Sequence, residues 1–339
     1  MTSTISAISK NDQPPLLAVD GLCKYFADTK GGWFNTTTKW LKAVDGVSFT
    51  LRRGATLGLV GESGCGKSTT ARCILRAIDP TAGTVRFTDG GSTIDLARLD
   101  TRALKPLRRR MQMVFQDPFS SLNPRLTVGR IVGEPLLVHG LGTASDRRDQ
   151  VVAMLRRVGL DADHVNRYPH EFSGGQRQRI SIARALILRP ALVVFDEAVS
   201  ALDVSVQAQV INLIADLRAE MGLTSIFVAH DLSVVRFLCD EVAVMYAGRI
   251  VEHASSAELF SNPRHPYTRA LLSAVPNPDP RVPLQTSLAG EVADPSRLPP
   301  GCAFHPRCPS CIDRCRVEVP RSLTKNGRDV ACHLLDSET

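Results

Sequence analysis

No run among the 339 residues is apolar for long enough to span a bilayer. The N-terminus has no secretory apolar core, since Met1 to Asn11 is mostly Ser, Thr and single apolar residues. The expectation is a chain that stays in the cytosol and at most sits against a membrane protein. Aromatics make up only 5% of residues, so few stand beside the densest basic cluster, Arg108-Arg109-Arg110. Binding single-stranded nucleic acid needs such rings for base stacking. The cluster therefore reads as a solvated helix face, and the formal charge of +7 points to no nucleic acid. What remains is the composition of a soluble globular protein, long enough for two domains or three. Nine cysteines are present but unevenly placed. Cys23, Cys65, Cys73 and Cys239 are scattered, while Cys302, Cys308, Cys311, Cys315 and Cys332 crowd the C-terminal stretch. In a cytosolic chain such crowding points to metal rather than disulfides.

The stretch Gly61-Glu62-Ser63-Gly64-Cys65-Gly66-Lys67-Ser68-Thr69 fits the phosphate-loop pattern G-x-x-x-x-G-K-[ST] in full. An apolar run of strand length, Ala55 to Val60, precedes it. Thr70 to Arg76 follows and can form a helix with Ala71, Ile74 and Leu75 on one face. Glycines let the backbone turn tightly and let a phosphate approach the N–H groups. Those groups and the helix N-terminus make a site of positive potential. Lys67 adds a charge for the β- and γ-phosphates, and the Ser68 hydroxyl can ligate Mg²⁺.

The rest of the chain alternates. Leu16 to Leu22 and Leu41 to Leu51 read as strands of an N-terminal β lobe, separated by a polar, Gly-rich insertion, Asp28 to Lys39, that carries Trp33 and Phe34. Thr127 to Gly159 reads as helices. Ala191 to Phe195 is fully apolar, as a buried parallel strand is, and Thr224 to Val228 reads as another buried strand. Buried strands alternating with helices imply an α/β fold with a parallel sheet covered on both faces. After Phe260 the texture changes, and prolines punctuate a small Cys- and Pro-rich appendage.

Polar residues stand where the apolar runs stop, which is where an open α/β sheet binds its ligand. Asp196 could hold Mg²⁺ directly or through water. Glu197, one residue on, could accept a proton from an attacking water. Gln116 could position that water or touch the metal. His230 could hydrogen-bond the γ-phosphate and sense its loss. Each alone has a plainer reading as a cap or a solvated side chain. Their order behind a complete phosphate loop favours the chemistry.

Phe172-Ser173-Gly174-Gly175-Gln176 resembles the signature sequence of ABC ATPases. The series phosphate loop, Gln116, signature, Asp196-Glu197, Ser200-Ala201-Leu202-Asp203, His230 is similar to the whole ABC set, over roughly residues 16–255. Met111 to Pro118, Ser121 to Arg125, Asp203 to Gln209 and His265-Pro266-Tyr267-Thr268 resemble the oligopeptide and dipeptide importer ATPases, nearer the F-type than the D-type subunit. The resemblance departs at Phe172, where Leu is usual, and at Ala198, where Pro is usual.

The resemblance implies a P-loop ATPase with a RecA-like parallel core, an N-terminal antiparallel β lobe and an α-helical subdomain at about residues 117–189. Residues 1–15 would be a flexible arm, 16–260 the ATPase domain and 261–339 the C-terminal extension. It implies ATP and Mg²⁺, the latter through Ser68, Gln116 and Asp196. It also implies a head-to-tail dimer in which Ser173, Gly174, Gly175 and Gln176 face the ATP of the partner, with Asp203 in the loop between the subunits. An aromatic should stack on adenine. Position favours Phe26, with Tyr25 the rival, and Trp33-Phe34 could reach in if the insertion folds back.

The partners implied are a paralogous D-type ATPase, two membrane permease subunits and an extracytoplasmic peptide-binding protein, at the cytoplasmic face of the inner membrane. Cys302, Cys308, Cys315 and Cys332 resemble a set that holds a [4Fe–4S] cluster in some members. Zinc and free thiols are alternatives, with Cys311, His305 and His333 as further candidates. An ABC ATPase acting on nucleic acid is a competing reading, but one phosphate loop, one signature and no long heptad run speak against it. Cargo other than peptides, such as nickel complexes or glutathione, is compatible with the same chain.

Overall fold

A computed structural model describes residues 14–30, 37–274, 293–294 and 296–338. Residues 1–13 of the arm expected at 1–15, and the Trp33-Phe34 pair, lie outside the described residues. Two sheets organise the rest. The first is antiparallel, in the order β2-β1-β4-β5. It comprises β1 (Leu17–Lys30), β2 (Thr37–Leu51), β4 (Ala82–Asp89) and β5 (Ser92–Asp95). The second contains β3 (Thr56–Val60), β6 (Met111–Val114), β7 (Leu192–Asp196), β8 (Thr224–Ala229), β9 (Glu241–Tyr246), β10 (Arg249–Ser255), β11 (Leu323–Lys325) and β12 (Arg328–Val330). Its order is β11-β12-β10-β9-β3-β8-β7-β6, with β9, β3, β8, β7 and β6 parallel.

The expected polar insertion from Asp28 to Lys39 is shorter than its composition suggests. Asp28 pairs with Lys39 and Lys30 with Thr37, so both strands run on into it as a two-stranded ribbon. Backbone pairing carries such a ribbon without a buried face, and side-chain polarity therefore does not mark its limit.

Every position of β3, β7 and β8 is buried. Successive side chains leave opposite faces of the sheet and enter two different cores. Leu57, Leu59, Val194 and Ile226 join Ala71, Cys73 and Ile74 of α1 (Lys67–Ile74) and the residues of the β lobe. Val193, Phe195 and Phe227 join the other core, which continues into a helical subdomain. After α2 (Thr101–Arg108), that subdomain is built from α3 (Pro118–Ser121), α4 (Val128–Val138), α5 (Ala144–Arg157) and α6 (Gly174–Leu186). Thr143 and Asp146 close a capping box on α5, and Ser173 and Gln176 close one on α6. Helices α7 (Val204–Met221), α8 (Leu232–Leu238), α9 (Ser256–Ser261), α10 (Pro266–Ser273) and α11 (Asp313–Val317) complete the order.

The C-terminal stretch builds no sheet of its own among the described residues. Its hairpin β11-β12 adds to the edge of the main sheet, where Glu252 pairs with Val330 and His253 with Asp329. So small a stretch cannot bury a sufficient core alone. Polar anchors hold it in place. Glu252 is fully buried. It accepts the amide hydrogens of Arg264 and His265, each at 2.9 Å, and the Arg328 guanidinium. A buried carboxylate is tolerated when its lone pairs are filled this way.

His253 lies between Glu241 at 3.1 Å and Asp329 at 3.5 Å. Burial pulls its pKa down, but hydrogen bonds and charge from Asp329 and Glu241 outweigh it and push it up to about 9. A folded pKa above the ordinary 6.5 means that the stabilisation is complete below that pH and lost as pH rises through about 9. Thermal melts from about pH 6 to about pH 10 are therefore expected to fall across this window. His253→Gln should flatten that slope; an unchanged slope would show that the hairpin is held by other means.

Candidate functional site

The strands of the parallel core end together. Val60 is level with Ala229, Asp196 with Val228, and Val114 with Phe195. The loops carrying Gly61, Gln116, Glu197 and His230 thus leave from one edge. Between them lies a cleft of about 340 Å³ whose walls include Phe26, Ser63, Gly64, Gly66, Lys67, Ser68, Thr69, Gln116 and Glu197. Gly61, Glu62 and Cys65 support the loop from behind: Cys65 is buried, and the Glu62 carboxylate turns away to Arg307.

Gly66 shows why this loop needs glycine. Its φ is +105°, and a Cβ there would lie 2.1 Å from the carbonyl oxygen of Ala43. It precedes α1, so the first amides of that helix point at the cleft. Lys67 is buried, and its ammonium donates to the carbonyls of Gly61 at 2.8 Å and Glu62 at 2.9 Å.

Two carboxylates face the loop. The Ser68 hydroxyl donates to Asp196 Oδ1 at 2.6 Å, and Arg72 approaches Asp196 Oδ2 at 3.5 Å. Hydroxyl and carboxylate oxygens this close are the hard donor set that Mg²⁺ prefers. Gln116 Nε2 donates to Glu197 Oε2 at 2.6 Å. Glu197 has a φ of +48°, a conformation that costs a non-glycine residue about 1–2 kcal/mol. Its amide donates to the Val228 carbonyl at 3.0 Å, which holds the turn. Arg72 went unnoticed in the sequence, although it stands one helical turn after Ser68 and so on the same face.

The aromatic candidates separate. The Tyr25 hydroxyl donates to Asp45 at 2.5 Å, and Arg249 clasps the same carboxylate at 2.6 Å. Phe26, the next residue on the strand, lines the cleft and is 37% exposed, with the Lys24 ammonium 4.9 Å above its ring.

Three predicted groups do not join the cleft within this chain. His230 is exposed beyond β8. Ser173, Gly174, Gly175 and Gln176 open α6 on the helical subdomain. Asp203 is exposed just before α7. The last two sets are neighbours: a Cβ on Gly175 would fall 2.3 Å from Val206, so only glycine lets α6 and α7 meet there.

All nine cysteines are free thiols. Burial pushes Cys302 up to about 11, and the charges of Cys315, Cys332 and Cys308 add to the shift. Cys308 and Cys332 are raised the same way. The backbone joins two of these cysteines directly, the Cys302 amide donating to the Cys315 carbonyl at 2.8 Å. Among the described residues no three His, Cys, Asp or Glu side chains close to metal-ligand geometry. Both ring nitrogens of His333 are engaged, by Glu318 O at 2.8 Å and Asp336 at 3.3 Å.

Gly66→Ala is expected to cost at least ~2 kcal/mol of stability, through backbone strain and the clash with Ala43. Calorimetric titration with a nucleoside triphosphate should show binding lost. Wild-type melting and binding would mean that the loop yields freely.

Comparison with known proteins bears on the same residues. The ABC transporter family model matches residues 44–200, and the model for the oligopeptide/dipeptide transporter C-terminal region matches 251–315. The chain is 53% identical to the "Probable peptide ABC transporter ATP-binding protein y4tS" of Sinorhizobium fredii, over 94% of this chain and 90% of that one. It is 48% identical to the dipeptide transport ATP-binding protein DppF of Escherichia coli, over 96% of each. A solved dimeric bacterial ABC transporter cassette superposes with a TM-score of 0.61 at 28% identity, covering 71% of this chain and 98% of that one. The protein cbiO1 of Clostridium perfringens, part of an ABC transporter complex, gives 0.62 at 26% identity, over 74% and 92%. The chain belongs to the ATP-binding proteins of ABC transporters, in the branch that carries the oligopeptide/dipeptide transporter C-terminal region.

Proposed function

We propose that this chain is the ATP-hydrolysing, energy-coupling subunit of a peptide importer. The observation that carries the reading is the meeting of two polar pairs, Ser68 with Asp196 and Gln116 with Glu197, at the mouth of one glycine-lined loop. The peptide part rests on the C-terminal region shared with peptide-transport relatives.

The roles follow from the positions. The loop from Gly61 to Thr69 would receive the phosphates on its amides, that of Glu62 excepted because Tyr267 holds it, and Lys67 would exchange its two carbonyl partners for phosphate oxygens. Phe26 would stack on adenine. Ser68, Asp196 and Gln116 would hold Mg²⁺, which neutralises charge on the phosphates when bound. Glu197, at hydrogen-bond distance from Gln116, would take the proton of the attacking water.

Signature and cleft are separate in one chain, which supports head-to-tail pairing. Ser173, Gly174, Gly175 and Gln176 would supply helix N-terminal amides to the cleft of a second ATPase subunit, with Asp203 between them. His230 would meet the γ-phosphate on closure. The solved cassette that resembles this chain is itself dimeric. The partner would be a paralogous D-type ATPase, and hydrolysis would release the pair by removing the shared ligand.

No helix among the described residues is long and apolar enough to cross a membrane. Contact with the inner membrane would come through two permease subunits. The helical subdomain offers a groove lined by Gly129, Glu134, Leu137 and Arg147, with Leu137 62% exposed. Cargo would be selected by an extracytoplasmic peptide-binding protein and never touch this chain.

Cys302, Cys308, Cys315 and Cys332 would suit a [4Fe–4S] cluster by the chemistry of four thiols, two of them buried and two partly so. They would hold it as a structural tie. The engaged rings of His333 favour four sulfurs over a mixed zinc site. Anaerobic purification is expected to yield iron and labile sulfide in equal amounts. Zinc alone, or no metal, would overturn the assignment. Glu197→Gln should keep its ATP affinity, lose about 10²–10⁴-fold in hydrolysis and accumulate as an ATP-bound dimer with the partner subunit. Full turnover by that variant would remove Glu197 as the base.

A further inference from the structure

Among the described residues, Glu62 is the one residue of the phosphate loop whose side chain is tied to the C-terminal extension by an ion pair. Arg307 grips its carboxylate with both terminal nitrogens, at 2.7 and 2.9 Å. The Arg307 side chain is only 5% exposed. A two-point guanidinium–carboxylate fork fixes direction as well as distance. The amide of Glu62 donates to the hydroxyl of Tyr267 at 2.9 Å, and Tyr267 is fully buried on α10. The carbonyl of Glu62 holds the Lys67 ammonium. One loop residue is thus gripped at its side chain and its N–H from the extension, and passes that hold to the lysine through its C=O.

The grip is rigid. The rings of Tyr267, Tyr246 and Phe304 pack together with centroids 4.7 to 5.3 Å apart. Arg307 ends the 3₁₀ turn His305–Arg307, which is flanked by Cys302 and Cys308. The amide of Cys302 is bonded to the Cys315 carbonyl at 2.8 Å. The loop that receives this support is the opposite in character. Gly61, Gly64 and Gly66 all have positive φ, and such residues lose most freedom on ordering.

We infer that Arg307 and Tyr267 are positioning residues for nucleotide binding: they act through Glu62 to hold the phosphate loop open and in register before ATP arrives. The C-terminal extension is then part of the ATP site's support. The inference rests on the ATP-binding reading of the cleft. Ordering the loop in advance removes a cost from binding and leaves the hydrolytic step untouched, so the effect falls on affinity rather than turnover.

The test uses the full-length chain with mant-ATP and Mg²⁺. Arg307→Met keeps bulk and removes the fork. It is expected to raise the Kd for mant-ATP about tenfold. In the complex with permeases and partner it should raise KM for ATP and leave kcat within about twofold. Hydrogen exchange at the amides of residues 61–66 should quicken in the nucleotide-free protein. Arg307→Lys should restore part of the affinity, and Glu62→Gln combined with Arg307→Met should be no worse than either alone. Tyr267→Phe, which removes only a hydroxyl, should weaken binding in the same direction and decides the matter if Arg307→Met does not fold. A folded Arg307→Met with wild-type Kd and wild-type loop exchange overturns the inference, as does a lowered melting temperature with unchanged Kd. A wild-type chain that binds no mant-ATP overturns the ATP reading as well, which separates the two failures.

Discussion

The Lys67 ammonium is buried and satisfied by two backbone carbonyls, of Gly61 and Glu62, at 2.8 and 2.9 Å. Carbonyl dipoles offset a unit charge only in part. The loop therefore keeps a surplus of positive potential, and the N-terminus of α1 adds to it. An anion brought to this place gains a full charge partner, while water would have to be displaced from little. Much of the remaining architecture can be understood as the means of keeping that cation buried, unpaired with a carboxylate and yet reachable.

The main sheet supplies the first of those means. Its buried strands place Asp196 and Glu197 at the edge from which the loop leaves, near enough to meet Ser68 and Gln116. Neither acid ion-pairs with Lys67 among the described residues. Asp196 is instead occupied by a hydroxyl and by Arg72, and Glu197 by an amide. Both acids are thus held beside the loop without neutralising the lysine.

The C-terminal extension supplies the second. It is fastened at Glu252 and His253 on the sheet edge, and at Glu62 on the loop. Shielded ion pairs of this kind add less stability than their geometry suggests, because both charges are desolvated. Their value lies in fixing one relation between segments far apart in sequence. Residues 62 and 307, 245 positions apart in sequence, are held together by that ion pair.

Much of the fold could be read directly. Strand β7 announced itself as an apolar run, as a strand covered on both faces does, while β8 buries Thr224 and Ser225 as well. The phosphate loop announced itself through its glycines, because positive φ at Gly61, Gly64 and Gly66 excludes most other residues. Local backbone demands leave local marks. The position of Phe26 in the sequence already favoured it over Tyr25, but the reason that Tyr25 is diverted, its hydroxyl bond to an Asp45 clasped by Arg249, came only with the tertiary structure. So did the length of the β1-β2 ribbon, the capture of the last hairpin by β10, and the Arg307 grip on Glu62. Each depends on a pair of residues whose separation is set by the folded path, and neither member carries any sign of the other in its own neighbourhood.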